Sequence, residues 1–85
     1  MVQNLETFKK KLLYHAAHRG MREADLVLER LAKAYLPLAD QSQCQLFEVF
    51  LALEDKRILD ILAGKTFCPP RFQTFIQAVS AAPLA

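Results

Sequence analysis

His15 and His18 stand three residues apart in a segment with helical spacing, so both imidazoles could face a metal from one side of a helix. A usable site needs further ligands, and no spacing in the chain supplies them. Solvated or partner-contacting histidines are therefore the expected reading. Cys44 could act as a nucleophile, but its neighbours Gln43 and Gln45 carry no charge that would favour a thiolate. It reads as an inert helical cysteine. Glu54 and Asp55 are adjacent, so a helix would turn them to different sides. They read as a cap and surface charge, with Asp55 as the cap, rather than as an acid–base pair. Lys9-Lys10-Lys11 could touch an anionic membrane or an RNA backbone, but a short basic run is more often a solvated face. No phosphate loop or dinucleotide fingerprint is present. With no catalytic set in view, the chain is expected not to be an enzyme, to hold no metal, and to bind no cofactor stably.

The remaining segment is Arg19-Gly20-Met21-Arg22-Glu23, the joint between two helical stretches. Glycine removes a side chain there and lets another backbone approach closely. Arg19 and Arg22 carry multi-donor forks suited to carboxylates or carbonyls on a partner. Glu23 could cap the second helix or orient an arginine, and Met21 could lend a soft apolar contact. The competing account is an ordinary helix–helix corner closed by an internal Arg–Glu bridge. Local physics alone favours that second account.

The elements that position these residues are helical almost throughout. Leu5, Phe8, Leu12 and Ala16 form one apolar stripe, so a helix is predicted from about Leu5 to Ala17, with Asn4 as its N-cap and Gly20 as its stop. A second runs from about Met21 to Tyr35, with Glu23 and Asp25 in the first turn, and ends at Pro37. A third begins after Asp40 or Ser42. Asp40 has Gln43 three residues on, which suggests a capping box. Its apolar residues Leu46, Phe47, Phe50, Leu51 and Leu53 make it the expected central helix. A short fourth helix covers about Lys56 to Ala63, with Gly64 as stop. A fifth starts at Pro69-Pro70 and turns Phe72, Phe75, Ile76 and Val79 inward. Residues 80–85 read as a frayed tail. The expected fold is all-α, a small single-domain bundle of about five short helices over residues 1–85.

Composition agrees with a folded interaction module. The chain has 85 residues, 53% of them hydrophobic, which argues against disorder and leaves apolar surface for a partner. Lys and Arg total 11 against 9 for Asp and Glu, a net charge of +2 that is too small for a nucleic-acid binder. The basic excess lies before Tyr35, with seven basic and four acidic residues, so the first part could meet an acidic partner surface. Met1 to Lys11 lacks the apolar region of a secretory signal, and no apolar run approaches the roughly 20 residues of a membrane span. Cys44 and Cys68 are far apart and read as reduced, semi-buried thiols.

Tyr14 through Leu28, YHAAHRGMREADLVL, resembles the signature of the succinate dehydrogenase assembly factor family. The family's Arg-Gly-x-x-Glu is matched by Arg19, Gly20 and Glu23, and Met21, Asp25 and Leu26 fit its usual extension. The resemblance continues more loosely to about Lys65. His18 stands where the family commonly has arginine, and Ile61 where it often has tryptophan.

The resemblance implies a small helical chaperone that promotes covalent FAD attachment to the flavoprotein subunit of succinate dehydrogenase, with the fumarate reductase subunit as a second client. It implies that Arg19, Gly20, Met21, Arg22 and Glu23, with Tyr14 and His18, contact that client beside its flavin-linking histidine. The factor would hold no FAD of its own and act on the client's. A monomer in the bacterial cytoplasm is expected. Two other readings stand beside it: an antitoxin-like or other regulatory interaction module, and a helix-turn-helix nucleic-acid binder. The acidic residues Glu23, Asp25 and Glu29 on the second helix argue against the last.

Overall fold

The computed structural model describes residues 4–81. Five α-helices follow in order: α1 Leu5–Ala17, α2 Arg22–Tyr35, α3 Gln41–Leu51, α4 Asp55–Leu62 and α5 Gln73–Ala81. Short 3-10 turns at Leu36–Leu38 and Pro70–Phe72 lead out of α2 and into α5. No strand occurs among the described residues, so the all-α bundle read from the periodicity is the observed architecture.

Local chemistry sets most helix ends. Asn4 Oδ1 accepts from the backbone N–H of Glu6 at 2.8 Å and of Thr7 at 3.4 Å, satisfying donors that a helix start leaves orphaned. At α3 the capping box is complete. Asp40 Oδ1 accepts from Gln43 N–H, and Gln43 Oε1 accepts from Asp40 N–H, each at 2.8 Å. Gly64, at φ +74°, ends α4, and the Lys65 N–H reaches back to the Asp60 carbonyl at 2.8 Å.

The boundaries depart from expectation at five places. Helix α3 ends at Leu51, so Leu53, read into it, lies in the corner that follows. Helix α2 starts one residue late, with Met21 as an N-cap that has no side-chain cap bond. The N-cap of α4 is Glu54, not Asp55; Asp55 is the first helical residue, and its carboxylate is engaged elsewhere. The two prolines form a 3-10 entry rather than the first turn of α5, which begins only at Gln73. Ser80 and Ala81, assigned to the tail, continue α5, and residues 82–85 lie outside the described residues.

The core is one cluster of buried apolar side chains with no buried polar or charged residue among those described. α3 contributes Cys44, Phe47, Phe50 and Leu51 to it. The helix with the most neighbours is nevertheless α2, which packs on α1, α4, α5 and the Leu36–Leu38 turn. Its inward residues Ala24, Leu28, Leu31 and Ala32 explain this, because two alanines let neighbouring backbones come close. α3 is thus the aromatic supplier, and α2, not α3, is central. Phe75 meets Tyr35, Phe47, Phe50 and Phe72 with ring centroids 4.7–5.9 Å apart, in mostly edge-on or tilted pairs.

The thiols follow from this packing. Cys44 is fully buried and Cys68 half-buried, and both are free. Burial pushes the Cys44 thiol up; Asp40 adds to the rise and Lys9 opposes it. A disulfide-exchange reagent at pH 8 should therefore label Cys68 ahead of Cys44, with both reacting together only after denaturation. Equal native rates would contradict the packing.

Candidate docking site

Helices α1 and α2 are joined through His18, Arg19, Gly20 and Met21. The joint is held from below by Arg19. Its Nε donates to Asp55 Oδ1, Nη1 to the Leu51 carbonyl at 2.6 Å, and Nη2 to the Leu53 carbonyl at 2.8 Å. The Leu51 carbonyl is one of the orphan acceptors at the C-terminus of α3, where the helix dipole also favours a cation. The Arg19 backbone N–H donates to Asp25 Oδ1 at 2.7 Å, so α2 grips the joint from the other side. Only 15% of the Arg19 side chain is exposed.

This arrangement adds to one expectation and corrects another. Arg19, expected to meet a partner, spends its fork on the corner between α3 and α4. The internal bridge that local physics suggested exists, but with Asp55, 36 residues away, rather than with Glu23. Asp55 and Asp25 are the residues that sequence reasoning missed in these roles. Asp55 read as an ordinary cap, and only the oddity of two acids opening α4 hinted otherwise.

The remaining residues of the joint face solvent. Gly20, Arg22 and Glu23 are exposed, and neither Arg22 nor Glu23 forms an ion pair among the described residues. Met21 is 38% exposed, high for an unbranched apolar side chain. Gly20 sits at φ +89°, and a Cβ there would meet nothing within 4 Å. The position needs glycine for its backbone conformation, not for internal room, and the open space above it is available to another chain. Gly20→Ala should cost about 1 kcal/mol, the left-handed penalty alone. A melting curve in which this variant matches wild type would contradict the positive φ.

Tyr14 and His18 flank the joint. Their rings stack at 4.1 Å with an interplanar angle of 16°, and His18 Nδ1–H donates to the Tyr14 carbonyl at 2.9 Å. That bond holds the ring at the C-terminal end of α1. His15 meets the same ring edge-on at 6.0 Å, and both histidines line one surface hollow with Arg19 and Asp55. Tyr14, His18, Gly20, Met21, Arg22 and Glu23 are thus all exposed, and Arg19 alone among the expected contact residues is turned inward.

The chain is a small all-α module with an exposed, internally latched corner. The chain matches the family described as flavinator of succinate dehydrogenase over residues 10–82, and it belongs to that family of succinate dehydrogenase assembly factors. It is 32% identical over 73 residues to a protein of Dictyostelium discoideum named succinate dehydrogenase assembly factor 2, mitochondrial, covering 86% of this chain and 52% of that one. A protein of the same name from Aspergillus flavus is 34% identical over 68 residues, covering 80% of this chain and 22% of its own length. The chain thus spans about half or less of the length of these relatives. No solved structure matches it. No helix among the described residues is long and apolar enough to cross a membrane.

Proposed function

We propose that this chain binds the flavoprotein subunit of succinate dehydrogenase and promotes covalent attachment of FAD to it, with the fumarate reductase subunit as a second client. The observation that carries the reading is the division of labour within the family motif. Arg19 latches the joint to α3 and α4, which leaves Gly20, Met21, Arg22 and Glu23 exposed next to it. A preformed corner loses little ordering entropy when it docks.

In this reading the chain works as a monomeric, non-catalytic helper. Glu23 and Arg22 supply charged groups to the client surface, and Gly20 lets the client backbone come close. Docking holds the client in an arrangement in which its bound FAD meets the histidine that takes it. The flavin and that histidine belong to the client, and the chain keeps no cofactor. The proposed compartment is the bacterial cytoplasm, which fractionation of the host would check.

Deleting the gene is expected to lower the in-gel flavin fluorescence of the succinate dehydrogenase flavoprotein, and the wild-type gene should restore it. Unchanged fluorescence in the deletion would overturn the reading. Mass spectrometry of what co-purifies with the tagged chain separates a flavoprotein client from the regulatory partner of an antitoxin-like module.

A further inference from the structure

The corner is continuous with an open groove between α2, α4 and α5. Met21 forms its mouth, and Val27, Leu59, Leu62 and Val79 line it together with the stems of charged residues. Leu59, Leu62 and Val79 rest partly on the core, whereas Val27 lies outside the core cluster although it is half-buried. Met21 is exposed and makes no cap bond for the helix it begins. At that N-cap position Asp, Asn, Ser or Thr would stabilise α2, so methionine costs the free chain stability. Its exposed side chain extends the apolar lining of the groove to the corner.

The rim tells what the groove would accept. Glu23 and Asp60 are matched by Lys56 and Lys65, so the charges balance and no net field draws a charged ligand. The occupant that fits is an apolar side chain with polar flanks. A second groove, lined by Leu13, Ala32, Leu36 and Pro37 with Lys9, Lys10 and Lys33 at its edge, lies toward the other end of α1 and shares no residue with the corner.

We infer that the protein docking at Gly20–Glu23 also seats one apolar anchor, aliphatic or aromatic, in the groove that opens at Met21. The inference rests on the function proposed above and names the client as the occupant, because Met21 and Glu23 belong to corner and groove alike. The anchor would supply the apolar part of the docking energy, while the corner supplies register.

The test is the affinity of Met21→Asp and Val27→Lys for the purified flavoprotein subunit, with Arg22→Ala, outside the groove lining, as the corner control and a melting curve for each. Met21→Asp replaces the apolar mouth with a good helix cap. It should melt at or above the wild-type temperature and yet bind about tenfold more weakly, as expected when an apolar anchor meets a charged mouth. Val27→Lys should weaken binding by a similar factor. Both effects should persist at about 0.5 M salt, where interactions between exposed charges are largely screened. Wild-type affinity of both folded variants, with Arg22→Ala weakened, would overturn the groove and leave the corner standing. Failure of the wild-type chain to bind the flavoprotein would overturn the proposed function and this inference together. Should Val27→Lys fail to fold, a photoactivatable residue at position 27 takes its place. A crosslink to the flavoprotein supports the groove; its absence, while position 22 crosslinks, overturns it.

Discussion

Arg19→Lys is expected to destabilise the domain by about 2 kcal/mol, nearly as much as Arg19→Ala. The guanidinium serves three acceptors on two sides of a corner, Asp55 and the Leu51 and Leu53 carbonyls. An ammonium can replace the ion pair but cannot hold all three positions at once. Bonds to a charged donor are worth more than neutral ones, and partial exposure of Asp55 discounts the total. In a domain of this size the loss corresponds to a fall in melting temperature of about 10 °C. Asp55→Ala should cost less, because the two carbonyl bonds survive it, and the double variant should show coupling between the positions. Circular-dichroism melts check all of these. A partner-facing Arg19 would instead leave every melting temperature unchanged, so the experiment separates a latch from a contact residue.

Phe75→Ala should have the larger effect on stability, about 3–5 kcal/mol. Its ring is fully buried and touches four other aromatic residues drawn from α2, α3 and the turn before α5. No side chain nearby can fill the space without leaving its own neighbours, so a cavity would remain. Native stability is commonly about 5–15 kcal/mol, and small domains lie toward the low end. The variant is therefore expected to be largely unfolded at 37 °C, while Phe67→Ala, at an exposed ring, changes stability by less than about 0.5 kcal/mol. Urea titration at 25 °C reads both. A Phe75→Ala midpoint equal to wild type would place the aromatic cluster wrongly.

What was legible in the sequence was what is local. The stripe Leu5, Phe8, Leu12, Ala16 reports a helix because a period of 3.6 is written into consecutive residues. The Asp40–Gln43 box and the Asn4 cap are equally local, since each partner lies within three residues. Gly20 and Gly64 marked breaks, and both take positive φ. The latch was not legible, because the pairing of Arg19 with Asp55 follows from how the α1–α2 joint meets the α3–α4 corner. No spacing encodes that meeting. The same blindness made Asp55 a cap and Glu23 the bridge partner. Centrality was missed for a related reason: α3 carries the large side chains, but α2 carries the alanines that allow several neighbours, and bulk is easier to see than room.

In the proposed function the corner has two layers, one that builds it and one that meets the client. Substitutions in the lower layer, Arg19 or Asp55, should lower stability and docking together. Substitutions in the upper layer, Glu23 or Arg22, should lower docking with little loss of stability, since neither side chain makes an ion pair within the described chain.

The most direct measurement of the central claim is reconstitution of flavin attachment. Purified flavoprotein subunit lacking covalent flavin is incubated with FAD, with and without this chain, and covalently held flavin is read by fluorescence after denaturing electrophoresis. Attachment should accelerate several-fold with the wild-type chain, and Glu23→Ala, whose lost charge at the start of α2 lowers the melting temperature by only a few degrees, should remove most of that acceleration. Equal rates with and without the wild-type chain would contradict the account.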